Sequence, residues 1–155
     1  MPYLIDGHNL IAHLPGLRLS DADDEARLAE RLRLFCQRTR SRAVVYFDRG
    51  HPAGEQPAPR AGLTVHFVRA PRTADHAIRA HLTRLGREAR NWTVVTSDGE
   101  LRSAARQSGA RTLTSPEFAR RLQARPELPE KPESPADEDE VTYWEARFRR
   151  HKPDA

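Results

Sequence analysis

Short apolar segments alternate with stretches of helical period, and this alternation restricts the fold more than any other feature of the sequence. Segments rich in β-branched or aromatic residues predict five strands, at residues 3–5, 43–47, 63–68, 92–95 and 111–113. The stretches between them predict helices. Strands that alternate with helices form parallel βαβ units whose sheet is covered on both faces. We therefore expect an α/β fold, a three-layer α/β/α sandwich with a five-stranded, mainly parallel sheet.

The predicted helices rest on apolar residues that recur every three or four positions. One helix is expected over about residues 21–40, and another carries a stripe of Ile78, Leu82, Leu85 and Ala89. A third helix is expected to end at Gly109, because glycine is the usual residue just past a helix end. A fourth is expected to begin at Ser115, with that serine as N-cap and Pro116 in the first helical position.

Composition divides the chain into three parts. Residues 1–123 are expected to form the folded domain, residues 124–140 an acidic, proline-rich linker, and residues 141–155 an amphipathic helix with a tail. The sequence 125–140 has a net charge of −5, so the rest of a chain with a total of +4 carries +9. That excess favours a polyanionic partner such as nucleic acid. A single cysteine and the absence of a long apolar run or basic leader predict a cytoplasmic protein without disulfides or membrane spans.

Four aspartates fall at successive strand–helix junctions. Asp6 follows the first strand, Asp48 the second and Asp98 the fourth, while Asp75 lies early in the helix after the third strand. Ligands of an open parallel sheet bind beyond the carboxyl ends of its strands, so these carboxylates are expected at one edge. Carboxylates gathered in one cleft repel one another unless a cation offsets their charge, and Mg²⁺ or Mn²⁺ prefers such oxygen ligands.

Each aspartate also has a purely structural interpretation. Asp75 and Asp98 lie where helices begin, where aspartate is a preferred cap or first-turn residue. Asp48 could open a turn. Asp6 is the hardest to explain structurally, because it follows apolar residues and no helix is predicted directly after it. Asn9 and Ser97 could orient a carboxylate or a water beside these aspartates.

The four motifs LIDGHN, VVYFD, TADHAI and VVTSDGEL occur in order between residues 2 and 122. Together they resemble the PIN-like NYN domain, most closely its YacP-like branch of bacterial endoribonucleases. The resemblance implies RNA cleavage with Mg²⁺ or Mn²⁺ held by Asp6, Asp75 and Asp98, with Asp48 as a further ligand and Asn9 in the first motif. Arg49 after Asp48 and His76 after Asp75 depart from the family pattern, which more often has a small and an acidic residue there.

The function expected from this reading is hydrolysis of RNA phosphodiesters to 5′-phosphate and 3′-hydroxyl ends, since no histidine pair for metal-free cleavage stands out. The resemblance further implies mRNA as the substrate and the ribosome as a partner, as in some relatives; it leaves the oligomeric state open. The side chains expected to guide the RNA backbone are those of Arg49, Arg60, Arg72, Arg102 and His76.

Two other function classes compete with the nuclease. A non-catalytic RNA-binding module of the same fold would show the same motifs. A phosphotransfer receiver also gathers aspartates at strand ends, but it needs a lysine after the last strand. Here that position holds Thr114, Ser115 and Pro116, and the first lysine of the chain is Lys131.

Overall fold

A computed structural model describes residues 2–19, 23–49 and 59–124 of the chain. The expected linker and C-terminal helix, at residues 124–140 and 141–155, lie outside these ranges except for Ala124, as does most of the loop between the second and third strands. Among the described residues, no helix is long and apolar enough to cross a bilayer.

Five parallel strands form one sheet in the order β3-β2-β1-β4-β5. The strands are β1 (Pro2–Asp6), β2 (Arg42–Arg49), β3 (Leu63–Arg69), β4 (Thr93–Val95) and β5 (Arg111–Leu113). The chain moves outward from β1 to β3 and then returns to the other side of β1. The order therefore reverses between β1 and β4, which makes the carboxyl ends of these two strands the place where such folds bind ligands.

Helices cover both faces of the sheet, which confirms the predicted three-layer sandwich. The helices are α1 (Gly7–Ile11), α2 (Asp24–Thr39), α3 (Ala74–Leu85), α4 (Gly99–Gln107) and α5 (Ser115–Gln123), with a 3-10 helix over Gly86–Asn91. One core lies under α1, α2 and α5 and the other under α3 and α4. Because successive strand residues point to opposite faces, Ile5 and Phe47 belong to the first core and Leu4 and Tyr46 to the second.

Local backbone chemistry accounts for several differences from the predicted helix ends. The helix expected over residues 21–40 ends at Thr39, because Arg40 adopts the left-handed conformation at its C-cap. The stripe that continued to Ala89 is divided between α3 and the 3-10 helix at Gly86, whose φ is +54°. The expected cap of the last helix was wrong by one residue. Thr114 is the N-cap, and it shares a capping box with Glu117.

Candidate active site at the carboxyl edge of the sheet

Asp6 is the last residue of the central strand β1, and helix α1 begins at the next position. The expectation that no helix follows Asp6 directly was therefore wrong: α1 is only five residues long, too short to show a periodic pattern. The carboxyl group of Asp6 has a pKa raised from 3.8 to about 6. Burial is the largest cause, and the charge of Asp48 is the next, with a smaller contribution from Asp75. The backbone N–H of Asn9 and the imidazole of His8 act in the opposite direction.

Gly7 leaves room for the side chain of Phe47 in the first core, and this is a different role from the tight turn that glycine often supports. A Cβ at this position would lie 2.3 Å from Cε1 of Phe47 and 2.4 Å from Cδ1. The Phe47 ring is fully buried, and it packs against Phe67 and against His8. The start of α1 is thus seated directly on an aromatic ring, which fixes where the Asp6 carboxyl group lies.

Asp48 and Asp75 are held by α3. The carboxylate of Asp48 accepts a hydrogen bond from the backbone N–H of Ala74, the first residue of that helix. Asp75 is the second residue of α3, and its Oδ2 lies 2.8 Å from Nε of Arg79 one turn further on. Both carboxylates therefore have a structural partner, and both act on the charge of Asp6.

Asp98 is the N-cap of α4, and its side chain serves that helix. Its Oδ1 accepts from the backbone N–H groups of Glu100, at 2.9 Å, and Leu101, at 3.1 Å. The structure thus brings Asp48 and Asp75 into electrostatic range of Asp6 and turns the Asp98 carboxylate toward α4. Within the described ranges, no three His, Cys, Asp or Glu side chains lie close enough together to hold a metal ion between them.

Asn9 joins three elements at this edge. Its Oδ1 accepts from the backbone N–H of Ser97, at 2.9 Å, and from the hydroxyl of Ser115, at 2.5 Å. Ser97 in turn accepts from the backbone N–H of Ser115 at 3.1 Å. Asn9 and Ser97 therefore tie α1 to the β4–α4 and β5–α5 junctions on either side of the switch point. Ser115, which is fully buried, belongs to this network, although its sequence position indicated only a helix start.

Asn9→Ala is expected to lower the free energy of unfolding by about 1–3 kcal/mol, because it leaves the Ser97 N–H and the buried Ser115 hydroxyl without their acceptor. Chemical denaturation monitored by circular dichroism measures this loss. Asn91→Ala, at an exposed position of the 3-10 helix, is the matched control and should change stability far less. Equal effects of the two substitutions would show that the Asn9 network contributes nothing particular to the fold.

A second pair of acidic residues, which the sequence did not reveal, lies beside His8. Glu25, at the start of α2, is buried, and its Oε2 lies 3.1 Å from Nε2 of His8. Asp24 is also buried. The acidic neighbours Glu25, Asp24 and Asp48 outweigh the effect of burial and raise the pKa of His8. In the sequence, Asp24 and Glu25 have the usual appearance of first-turn acidic residues, so only the packing of α2 against α1 reveals their proximity to His8.

The expected RNA contacts are distributed unevenly around the sheet. Arg72 and His76 flank the start of α3 at the carboxyl edge, and Arg102 lies one turn after Asp98 in α4. Arg60 is not near this edge as expected: it is bridged to Leu63, the first residue of β3, and so lies at the amino end of the sheet. Arg49 ends β2, but its side chain lies outside the described part of the chain.

The geometry agrees with comparisons to known proteins. The family model of the YacP-like NYN domain matches residues 3–152. The chain belongs to the YacP-like NYN family. A crystal structure of Rae1 (YacP) from Bacillus subtilis has a TM-score of 0.67 at 25% identity, and the match covers 79% of this chain and 74% of that one. The W164L mutant of Rae1 matches with a TM-score of 0.66 at the same identity and coverage. No curated protein sequence matches at a significant level.

Membership of the YacP-like NYN family makes the fold nuclease-like. The five parallel strands and their helices are shared with the Rae1 structures, which confirms the expected fold and family. The family is one of RNA-acting, nuclease-like proteins.

Proposed function

We propose that this protein is a divalent-metal-dependent endoribonuclease whose active site is the carboxyl edge around Asp6. The observation that carries the proposal is the carboxyl group of Asp6, which is half-buried at the end of the central strand and whose pKa is raised by this partial burial and by the charges of Asp48 and Asp75. A structural carboxylate is normally paired with a cation or a set of donors. At Asp6, partial burial and the two neighbouring carboxylates outweigh the Asn9 N–H and the charge of His8. Such an arrangement is typical of functional sites.

The donor set fits Mg²⁺ or Mn²⁺. These cations prefer carboxylate oxygens, and Mg²⁺ usually needs only one or two of them, with waters and substrate phosphates completing its shell. The absence of a three-residue cluster among the described side chains is compatible with that mode of binding. Asp6 would be a direct ligand of the cation, and Asp48, Asp75 and Asp98 would act on it directly or through its bound waters.

When bound, the cation supplies Lewis-acid activation and offsets the negative charge of the phosphodiester. The protein's own groups orient the site. Asn9 and Ser97 keep the β4–α4 junction fixed against α1, and Asp48 holds the start of α3. Hydrolysis in this arrangement is expected to leave 5′-phosphate and 3′-hydroxyl ends. The family resemblance supports mRNA as the natural substrate and association with the ribosome, and both are part of the proposal.

A second candidate function is RNA binding without cleavage. The observation that favours it is the position of the Asp98 carboxylate, which the N-terminus of α4 already uses. The same fold could then bind RNA without assembling the full set of ligands.

Asp98→Asn separates the two functions, because asparagine keeps the cap acceptor and removes only the charge. We expect an unchanged melting temperature and at least about tenfold slower Mn²⁺-dependent cleavage of a labelled RNA, a typical loss for a group supporting a metal site. Glu88→Gln, an equivalent change at an exposed position of the 3-10 helix, should leave both quantities unchanged. Full activity of Asp98→Asn would show that Asp98 only caps α4 and takes no part in cleavage. Failure of the purified wild type to cut RNA would favour the non-catalytic RNA-binding module.

A further inference from the structure

A cavity of about 330 Å³ lies between the edge strand β3 and helix α3, outside the group of aspartates. This volume is in the range of small-molecule sites. Its walls come from β2, β3, the β3–α3 connection and α3; the residues that matter here are Tyr46, His66, Arg69, Arg72, Ala77 and Arg84.

The cavity is strongly cationic. Three arginines line it, at positions 69, 72 and 84, and its lining contains no acidic residue. Within the described part of the chain, no carboxylate lies within salt-bridge distance of these three guanidinium groups. By contrast, Arg79 on the same helix is paired with Asp75. Arg84 interacts with the Tyr46 hydroxyl, but none of the three has a carboxylate partner among the described residues. Guanidinium groups of this kind around a concave surface favour a planar or tetrahedral anion, which they bind by paired N–H donors.

The floor of the cavity is aromatic. The ring of Tyr46 is buried, and His66 stacks on it with centroids 5.1 Å apart and an angle of 21° between the planes. The Tyr46 hydroxyl lies 2.7 Å from Nδ1 of His81. Burial and the charge of Arg84 lower the pKa of both His66 and His81, which favours the uncharged form of both imidazoles. The cavity therefore combines flat rings with fixed arginine charges.

The cavity adjoins the proposed active site. In the β1–β2 register, Tyr46 lies opposite Asp6. Because strand side chains alternate between the two faces, those of Asp6, Tyr46 and Asp48 lie on the same face of the sheet. This is the face covered by α3. Arg72 lies in the connection that leads to Asp75. The cavity extends from this connection along α3 to Arg84, so it begins beside the aspartates and leads away from them.

We propose that this cavity is a binding subsite for one nucleotide of the RNA strand, with its phosphate on the arginines and its sugar or base against the Tyr46–His66 rings. Single-stranded nucleic acid is bound by this combination of cationic groups and ring surfaces. The subsite rests on the proposed function, because its role is to hold the RNA strand that reaches Asp6 on a fixed path along α3. A free mononucleotide presents the same chemistry as a nucleotide within a strand.

The test measures binding of a fluorescein-labelled single-stranded RNA by anisotropy in EDTA, where no metal-dependent cleavage occurs. The double variant Arg72→Gln/Arg84→Gln is compared with Arg42→Gln/Arg106→Gln, which removes the same charge from exposed positions near the amino end of the sheet. We expect the cavity variant to bind at least about tenfold more weakly, with the slope of log K against log salt reduced by about 0.7 for each phosphate that the variant no longer binds. The control should weaken binding by less than about threefold.

Competitors identify what the cavity binds. Adenosine 5′-monophosphate should displace the RNA from wild type at lower concentration than inorganic phosphate does, and the difference should disappear in the cavity variant. Equal weakening in the two double variants would overturn the subsite in favour of general charge attraction. Displacement by poly-glutamate as effective as by RNA would overturn it in favour of an acidic protein segment.

The subsite and the proposed function fail in different ways. Normal RNA binding by Arg72→Gln/Arg84→Gln, with cleavage still dependent on Asp98, would remove the subsite and keep the nuclease. Cavity-dependent binding by a wild type that does not cut RNA would keep the subsite and remove the nuclease. Because all three cavity arginines are exposed, folding should be intact in the variants; Arg69→Gln provides a second variant, and melting temperatures verify each one.

Discussion

Asp6→Asn is expected to abolish RNA cleavage while making the protein more stable. Loss of a principal metal-binding carboxylate removes several kcal/mol of transition-state stabilisation, so cleavage should fall on the order of a hundredfold or more. The pKa of the half-buried Asp6 carboxyl group is raised from 3.8 to about 6, so its charge destabilises the folded state in the absence of metal. A substitution that damaged the fold would lower activity and stability together.

The pH dependence of this stability follows from the sign of the shift. A raised carboxyl pKa means that the folded state binds the proton more tightly, so stability is lost as pH rises between 3.8 and about 6. Asparagine carries no charge, so it does not destabilise the folded state in this way. In EDTA at pH 8, the free energy of unfolding of the variant should exceed that of the wild type by up to about 3 kcal/mol. The difference should disappear near pH 3.8. Chemical denaturation at several pH values measures it.

Mn²⁺ provides the complementary measurement. A cation that binds the folded state raises the melting temperature, and the rise is larger when it binds more tightly, so added Mn²⁺ should stabilise the wild type more than Asp6→Asn. Glu88→Gln should respond to Mn²⁺ as the wild type does. If Asp6→Asn cuts RNA at the wild-type rate, Asp6 is not part of the active site.

Gly7→Ala is expected to have the largest effect of any single-methyl change at the site. The added Cβ would lie 2.3 Å from the Phe47 ring, which is buried and packed against the rings of His8 and Phe67. Overpacking of this kind costs about 1–3 kcal/mol, equivalent to a melting temperature lower by roughly 3–10 °C in a chain of this size. Because α1 must move to relieve the contact, the adjacent Asp6 moves too, and cleavage should fall about a hundredfold.

Gly99 offers a matched control for Gly7. Each glycine directly follows a site aspartate and begins a helix, but a Cβ at Gly99 meets nothing within 4 Å. Gly99→Ala should therefore be neutral or stabilising by up to about 1 kcal/mol. Phe47→Leu combined with Gly7→Ala should recover part of both the stability and the activity. No recovery in that double variant, or an equal loss in Gly99→Ala, would contradict the steric explanation.

The sequence predicted most of the fold because the relevant signals are local. The β-branched segments around Val44, Val65 and Val94 predicted the three strands correctly, and their alternation with helices predicted the parallel sheet. Parallel strands place their carboxyl ends at one edge, so the common location of Asp6, Asp48, Asp75 and Asp98 followed from topology. The short helix α1 was missed because five residues leave no periodic signal. The cap was assigned to Ser115 because serine before proline is itself a good start signal, although the spacing of Thr114 and Glu117 is that of a capping box.

The direction of each side chain could not be predicted in the same way. The sequence could not distinguish an Asp98 that binds a ligand from one that caps α4, because both roles use the same residue at the same position. Its proposed role at the site remains a prediction. Likewise, Glu25 is brought beside His8 only by the packing of α2 against α1.

The alternation of strands and helices and the repeated junction aspartates are thus properties of the sequence itself, since each depends on residues that are neighbours along the chain. The tertiary structure decided which of those aspartates share one electrostatic environment, and it raised the pKa of Asp6 through burial and through charges contributed by β2 and α3. It also formed the arginine-lined cavity from residues 46 to 84. Both results depend on distances between groups that are far apart in the chain, and only the folded sheet sets those distances.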